Sequence, residues 1–179
     1  MMGDPQSQIR FLEAGYFMGV LEFLEQTSLA TFIRESESYL GFPTFLFLHT
    51  LGLSLVVGAN ALVAIRVLGL ASSIPLQPLR RLFPFMWIGF LLTVLSGLGL
   101  GIAAATTRLV NPILLGKVVL VAIAGIIMRR LEKKVFSGPD FKEAESGSSR
   151  MMAAALLVLW VAITTMGRLI AYSATIFGT

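Results

Sequence analysis

Four apolar runs, each close to the length that crosses a bilayer, constrain this chain more than any other feature of its sequence. They cover about residues 45–70, 83–105, 112–127 and 151–176. A helix rises 1.5 Å per residue, so roughly 20 apolar residues span a hydrocarbon core of about 30 Å. Only 13% of the 179 residues are charged, against about 25% in an ordinary soluble domain. A disordered chain, a coiled coil and a soluble globule are all excluded, and lipid is the main solvent. The fold expected is all-α: a four-helix transmembrane bundle over residues 41–179, preceded by an amphipathic N-terminal cap over 1–40.

Residues 1–40 differ from the rest. Phe11 to Leu24 is apolar but short, and Glu13 and Glu22 interrupt it. Such a run suits the membrane interface better than a span. Ser28 to Leu40 reads as a second short helix with Leu29, Phe32 and Ile33 on one face. The start, MMGDPQSQ, lacks the basic residues of a secretory signal. Residues 137–149, SGPDFKEAESGSS, read as an exposed loop. Asn111 and Pro112 form an N-cap and first-turn pair for the third run.

Charge gives the orientation. With the N-terminus outside, the inner side holds Arg66, Arg80, Arg81, Arg129, Arg130, Lys133, Lys134, Lys142 and Arg150, while the outer side holds Arg10, Arg34 and Arg108. The positive-inside rule then predicts both termini outside a bacterial plasma (inner) membrane. It also explains the net charge of +4 without nucleic acid.

Two bases remain within the spans, Lys117 and Arg168, together with the chain's single histidine, His49. Counting residues puts all three at similar depth in the outer half. Intramembrane ionisable groups are costly and mark functional sites by default. Asn60 shares a helix face with His49, and Tyr172 shares one with Arg168, so all five are ligand-binding candidates. Glu35 and Glu37 are candidates to pair with Lys117 or Arg168 structurally, and either cation could instead snorkel to lipid phosphate. His49 suits a helix–helix hydrogen bond, a proton relay, or ligation of haem b with Met166 or a second His49 as axial partner. Ser54/Gly58 and Gly97/Gly101 have small-residue spacing for close helix packing, and Phe83 and Trp87 suit an interfacial anchor. There is no cysteine, no Ser-His-Asp constellation and no acid within a span, which weighs against an enzyme.

The segments LEFLEQTSLATFIRESESYLGFPTFLFLHTLGLSLVVG (21–58), LFPFMWIGFLLTVLSGLGL (82–100), NPILLGKVVLVAI (111–123) and MGRLIAY (166–172) resemble a bacterial family of small four-helix integral-membrane proteins of unknown function. The resemblance carries His49, Gly52, Gly58, Trp87, Asn111, Pro112, Lys117, Gly167, Arg168 and Tyr172 as pattern positions, and implies a fold without an activity. A fainter likeness links the chain to copper-resistance and cytochrome b561-type membrane proteins, from which it departs in lacking their several histidines. Three functional readings follow. The first is a non-enzymatic multi-pass membrane subunit or accessory protein, with an outward-facing polar cluster for a cap, a lipid or an anionic ligand. It would act in the lipid bilayer within a larger membrane complex or homo-oligomer. The second is an electron-transfer subunit that binds haem or quinone. The third is a small oligomeric transporter.

Overall fold

The computed structural model describes residues 5–136 and 141–177, without the side chains of 5, 7–11, 13 and 171–177. The described residues are helical throughout, with no strand among them. In order the helices are α1 (Pro5–Glu25), α2 (Ser28–Glu35), α3 (Phe42–Val67), α4 (Leu76–Leu79), α5 (Leu82–Ile102), α6 (Ala105–Arg108), α7 (Pro112–Phe136) and α8 (Gly147–Phe177), with a 3-10 turn at Lys142–Glu145 before α8. α3, α5, α7 and α8 are each long and apolar enough to cross a membrane.

Side-chain contacts fix an up-down-up-down bundle. Gly52 and Gly89 meet backbone to backbone across α3 and α5, while Phe45 lies against Gly99, so these helices are antiparallel. Gly116 and Lys117, near the start of α7, lie against Met166 and Gly167, late in α8, while the turn at Lys142–Glu145 joins the other ends, so α7 and α8 are antiparallel too. α8 also packs along α3, which joins the two hairpins. Asn60 of α3 reaches Met128 of α7 across the core, so α3 and α7 run parallel.

The buried positions follow the expected three-and-four spacing. On α5 they include Phe83, Met86, Gly89, Thr93, Ser96 and Leu100. On α8, Ala153, Leu156, Trp160 and Ile163 are buried. The opposite stripe of α5, with Phe85, Ile88, Leu91, Leu95 and Leu98, is exposed, as a lipid-facing surface must be. Hydrocarbon is as apolar as these side chains, so close packing holds the helices together rather than escape from water. A Cβ on Gly52 would stand 2.6 Å from Thr93 Oγ1 and 2.7 Å from the Gly89 carbonyl oxygen. Only glycine allows that crossing.

Local sequence sets the helix ends. Asn111 Oδ1 accepts from the Ile113 amide at 2.9 Å, with Pro112 at the first helical position. Gly69, at φ 86°, closes the end of α3 in the left-handed region, and the Leu70 amide donates back to the Ile65 carbonyl. Thr27 Oγ1 accepts from the Ala30 amide to cap α2.

Several expectations change. α7 continues to Phe136, well past its apolar run, because Arg, Leu, Glu and Lys are good helix formers. Phe83 is 1% exposed and packs edge-on to Phe136, so it is core and not an interfacial anchor. On α2, Ala30 and Ile33 are buried while Leu29 and Phe32 are exposed. The polar stretch before α8 is not wholly exposed either: Phe141 stacks edge-on to Phe136, and Ala144 and Ser149 are buried.

Candidate functional site

α5 supplies the floor of the site through three small residues in an otherwise apolar helix: Thr93, Ser96 and Gly97. The half-buried His49 ring of α3 packs over Gly97, its Cε1 only 3.1 Å from where a Cβ would stand. Its Nδ1 lies 3.1 Å from Ser96 Oγ. The Ser96 hydroxyl donates its one hydrogen back to the Leu92 carbonyl. It therefore accepts from His49, and this network assigns the proton to Nδ1. Nε2 is left with a lone pair, able to accept a hydrogen bond.

Lys117 approaches from the diagonal helix. It is half-buried on α7. Its Nζ lies 3.2 Å from where a Cβ would stand on Gly167 of α8, so that glycine makes room for the ammonium. Among the described residues Lys117 has no hydrogen-bond or ion-pair partner. His49 to Lys117 and Asn60 to Met128 are both pairs 68 positions apart, which fits the parallel register of α3 and α7.

The other sequence candidates lie elsewhere. Arg168 sits at the level of Lys117 but about 100° further round α8 than Gly167. It is exposed, with no ion pair among the described residues. The Tyr172 side chain lies outside the described residues. Asn60 is about 16 Å further along α3 than His49 and 1% exposed. Its Nδ2 donates to the Val56 carbonyl at 3.0 Å and to Met128 Sδ at 3.3 Å. Its Oδ1 is buried without a partner, so Asn60 forms a separate polar layer in the core. Glu35 pairs with its neighbour Arg34 at 2.9 Å, and Glu37 is exposed after α2. Neither forms an ion pair with Lys117 or Arg168 among the described residues.

The cap is fastened by a residue the sequence reading passed over, Glu25. Its Oε2 accepts from the Thr106 hydroxyl at 2.6 Å and the Thr106 amide at 3.0 Å, while Oε1 pairs with Arg34 at 3.3 Å. Arg34 also donates to the Ala103 carbonyl at the end of α5. The two Thr106 hydrogen bonds first, and the Arg34 charge after them, hold the Glu25 carboxyl below its ordinary range. An acid at the very end of a mostly apolar helix was the available signal. For Ser96 it was a hydroxyl one turn from another small polar residue within a span.

Among the described residues no group of three or more His, Cys, Asp and Glu gathers into a metal site. Comparison with protein-family profiles, curated proteins and solved structures gives no match to the chain. Fold and site together define the class: a multi-pass membrane protein with four helices fit to span a bilayer, carrying a half-buried histidine and a half-buried lysine towards one end of its bundle.

Proposed function

We propose that the protein is a non-enzymatic subunit or accessory protein of the bacterial plasma membrane, with both termini outside, that holds an anionic ligand between His49 and Lys117. One observation carries this reading: a half-buried lysine ammonium packs against Gly167 at the end of the bundle that also carries the half-buried His49, with no carboxylate paired to it among the described residues. Ammonium in such surroundings favours an anion strongly, because the alternative is an uncompensated charge. His49 Nε2 adds an acceptor. A group with negative oxygen and one remaining O–H, such as a phosphate monoester, satisfies both. The family resemblance belongs to the same reading, since Lys117 and Gly167, two of its pattern positions, lie against each other.

The test is a thermal melt of the detergent-purified protein against dodecyl phosphate. Stabilisation is expected, with an apparent affinity reduced about tenfold or more in Lys117→Gln, the usual scale for a charge-assisted hydrogen bond. No stabilisation, or an identical response in the variant, would refute it.

The free Nε2 supports a second reading, a quinol or haem site, because a quinol hydroxyl and a haem iron both need that lone pair. Chromatography of an organic extract detects a retained quinone. An absorption spectrum before and after dithionite, lost in His49→Ala, detects haem.

A further inference from the structure

At the opposite end of the bundle the fourth seam does not close. α3 packs along α5 and α8, and α8 along α7, but the backbones of α5 and α7 stay apart. Between them lies a cleft of 470 Å³. Its α5 wall is Trp87 and Phe90, ring against ring at 5.7 Å. Its α7 wall is Ala122, Gly125 and Ile126. A Cβ on Gly125 would stand 2.9 Å from Phe90 Cζ, so glycine admits the tip of that ring against α7.

The cleft changes character along its length. On α7 the apolar positions Ala122 and Ile126 are followed on the same face by Arg129, Arg130 and Lys133. Arg129 is already matched, since Glu132 pairs with it at 3.1 Å and also accepts from the Trp87 indole at 3.1 Å. Arg130 and Lys133 are exposed, and neither makes a hydrogen bond or an ion pair among the described residues. They cap an apolar channel that runs along the bundle axis.

We infer that this cleft is a binding site for one anionic diacyl phospholipid, with an acyl chain between Phe90 and Ile126 and the headgroup phosphate on Arg130 and Lys133. The charge pattern selects this occupant. An apolar trough ended by two unmatched cations complements a molecule with a long hydrocarbon tail and an anionic head, and basic pockets between membrane helices bind such heads. A transmembrane partner helix would cover the apolar part but leave both cations unmatched.

The experiment uses the full chain in phosphatidylcholine vesicles containing phosphatidylglycerol, with one lipid or the other brominated in its tails. Trp87 lines the cleft, whereas Trp160 is 1% exposed in the core, so quenching reports Trp87. Phosphatidylglycerol is expected to associate roughly tenfold more strongly than phosphatidylcholine. The preference should fall towards one in Arg130→Gln/Lys133→Gln and persist in Arg80→Gln/Arg150→Gln, which removes the same charge elsewhere at that end. Ala122→Phe, which fills the trough from an exposed position, should reduce quenching by both lipids. No preference in the native protein, equal loss in the two double variants, or undiminished quenching in Ala122→Phe would each overturn the site. Circular dichroism confirms that each variant is folded.

Discussion

The two ends of α7 carry lysines in opposite circumstances. Lys134 pairs with Glu143 at 3.4 Å and Lys133 is exposed, both in the last turn, where the helix dipole favours cations. Lys117 is in the second turn, where the dipole opposes a cation, and it is half-buried against Gly167. The same residue type is therefore nearly free of cost at one end and expensive at the other. Nothing in the packing of the bundle requires the expensive one. The basic end is matched by its surroundings, and the other end carries a cation that its surroundings leave unmatched.

Both ends depend on the crossing of α3 and α5, so breaking that crossing has the largest effect. Gly52→Leu would drive a side chain into the Gly89 backbone and cost about 3 kcal/mol or more. Size-exclusion chromatography and thermal melts should show loss of the folded monodisperse species, whereas Gly58→Leu, at a position with open space around it, should be tolerated.

The sharpest comparison sets Lys117→Gln beside Lys133→Gln. Without ligand, Lys117→Gln should stabilise the protein by about 2 kcal/mol, since it removes an unmatched charge from within a span. Lys133→Gln should change stability by less than about 0.5 kcal/mol. Destabilisation by Lys117→Gln would show that the ammonium serves the fold.

The latch of the cap should respond to pH. The folded Glu25 carboxyl titrates below its unfolded value, so its contribution is complete above the usual carboxylate range and is lost as pH falls through the folded value. Limited proteolysis between α2 and α3 should therefore accelerate only on acidification below about pH 4. Glu25→Gln should show the faster cleavage already at neutral pH, and a flat profile in the native protein would contradict the latch. Among the buried positions the smallest is Ser96→Ala, expected to cost about 1 kcal/mol or less. Its diagnostic sign is a shift of the His49 tautomer away from Nδ1–H in imidazole nitrogen NMR.

Much of this architecture is legible in the sequence, because apolar runs of bilayer length admit few alternatives. The helix start at Asn111–Pro112 is equally plain, since both residues act through their own backbone geometry. The level of a residue along the bundle is legible by counting residues. Direction around a helix is not: Arg168 and Gly167 differ by one position, yet one is exposed and the other lies under Lys117. Phe83 reads as an interfacial aromatic until α7 extends beyond its apolar run and brings Phe136 onto it. Glu25 is hidden for a related reason, as Thr106 lies 81 positions away and only the folded chain brings α6 beneath α1.

The glycine contact between α3 and α5 has a mechanical consequence. Backbones that touch at Gly52 and Gly89 cannot slide, so this hairpin moves as one stiff body, and α7 with α8 forms the other. His49 is mounted on the first body and Lys117 on the second. Under the proposed anion site, a ligand held between them would act on the packing of one hairpin against the other, where α8 lies along α3.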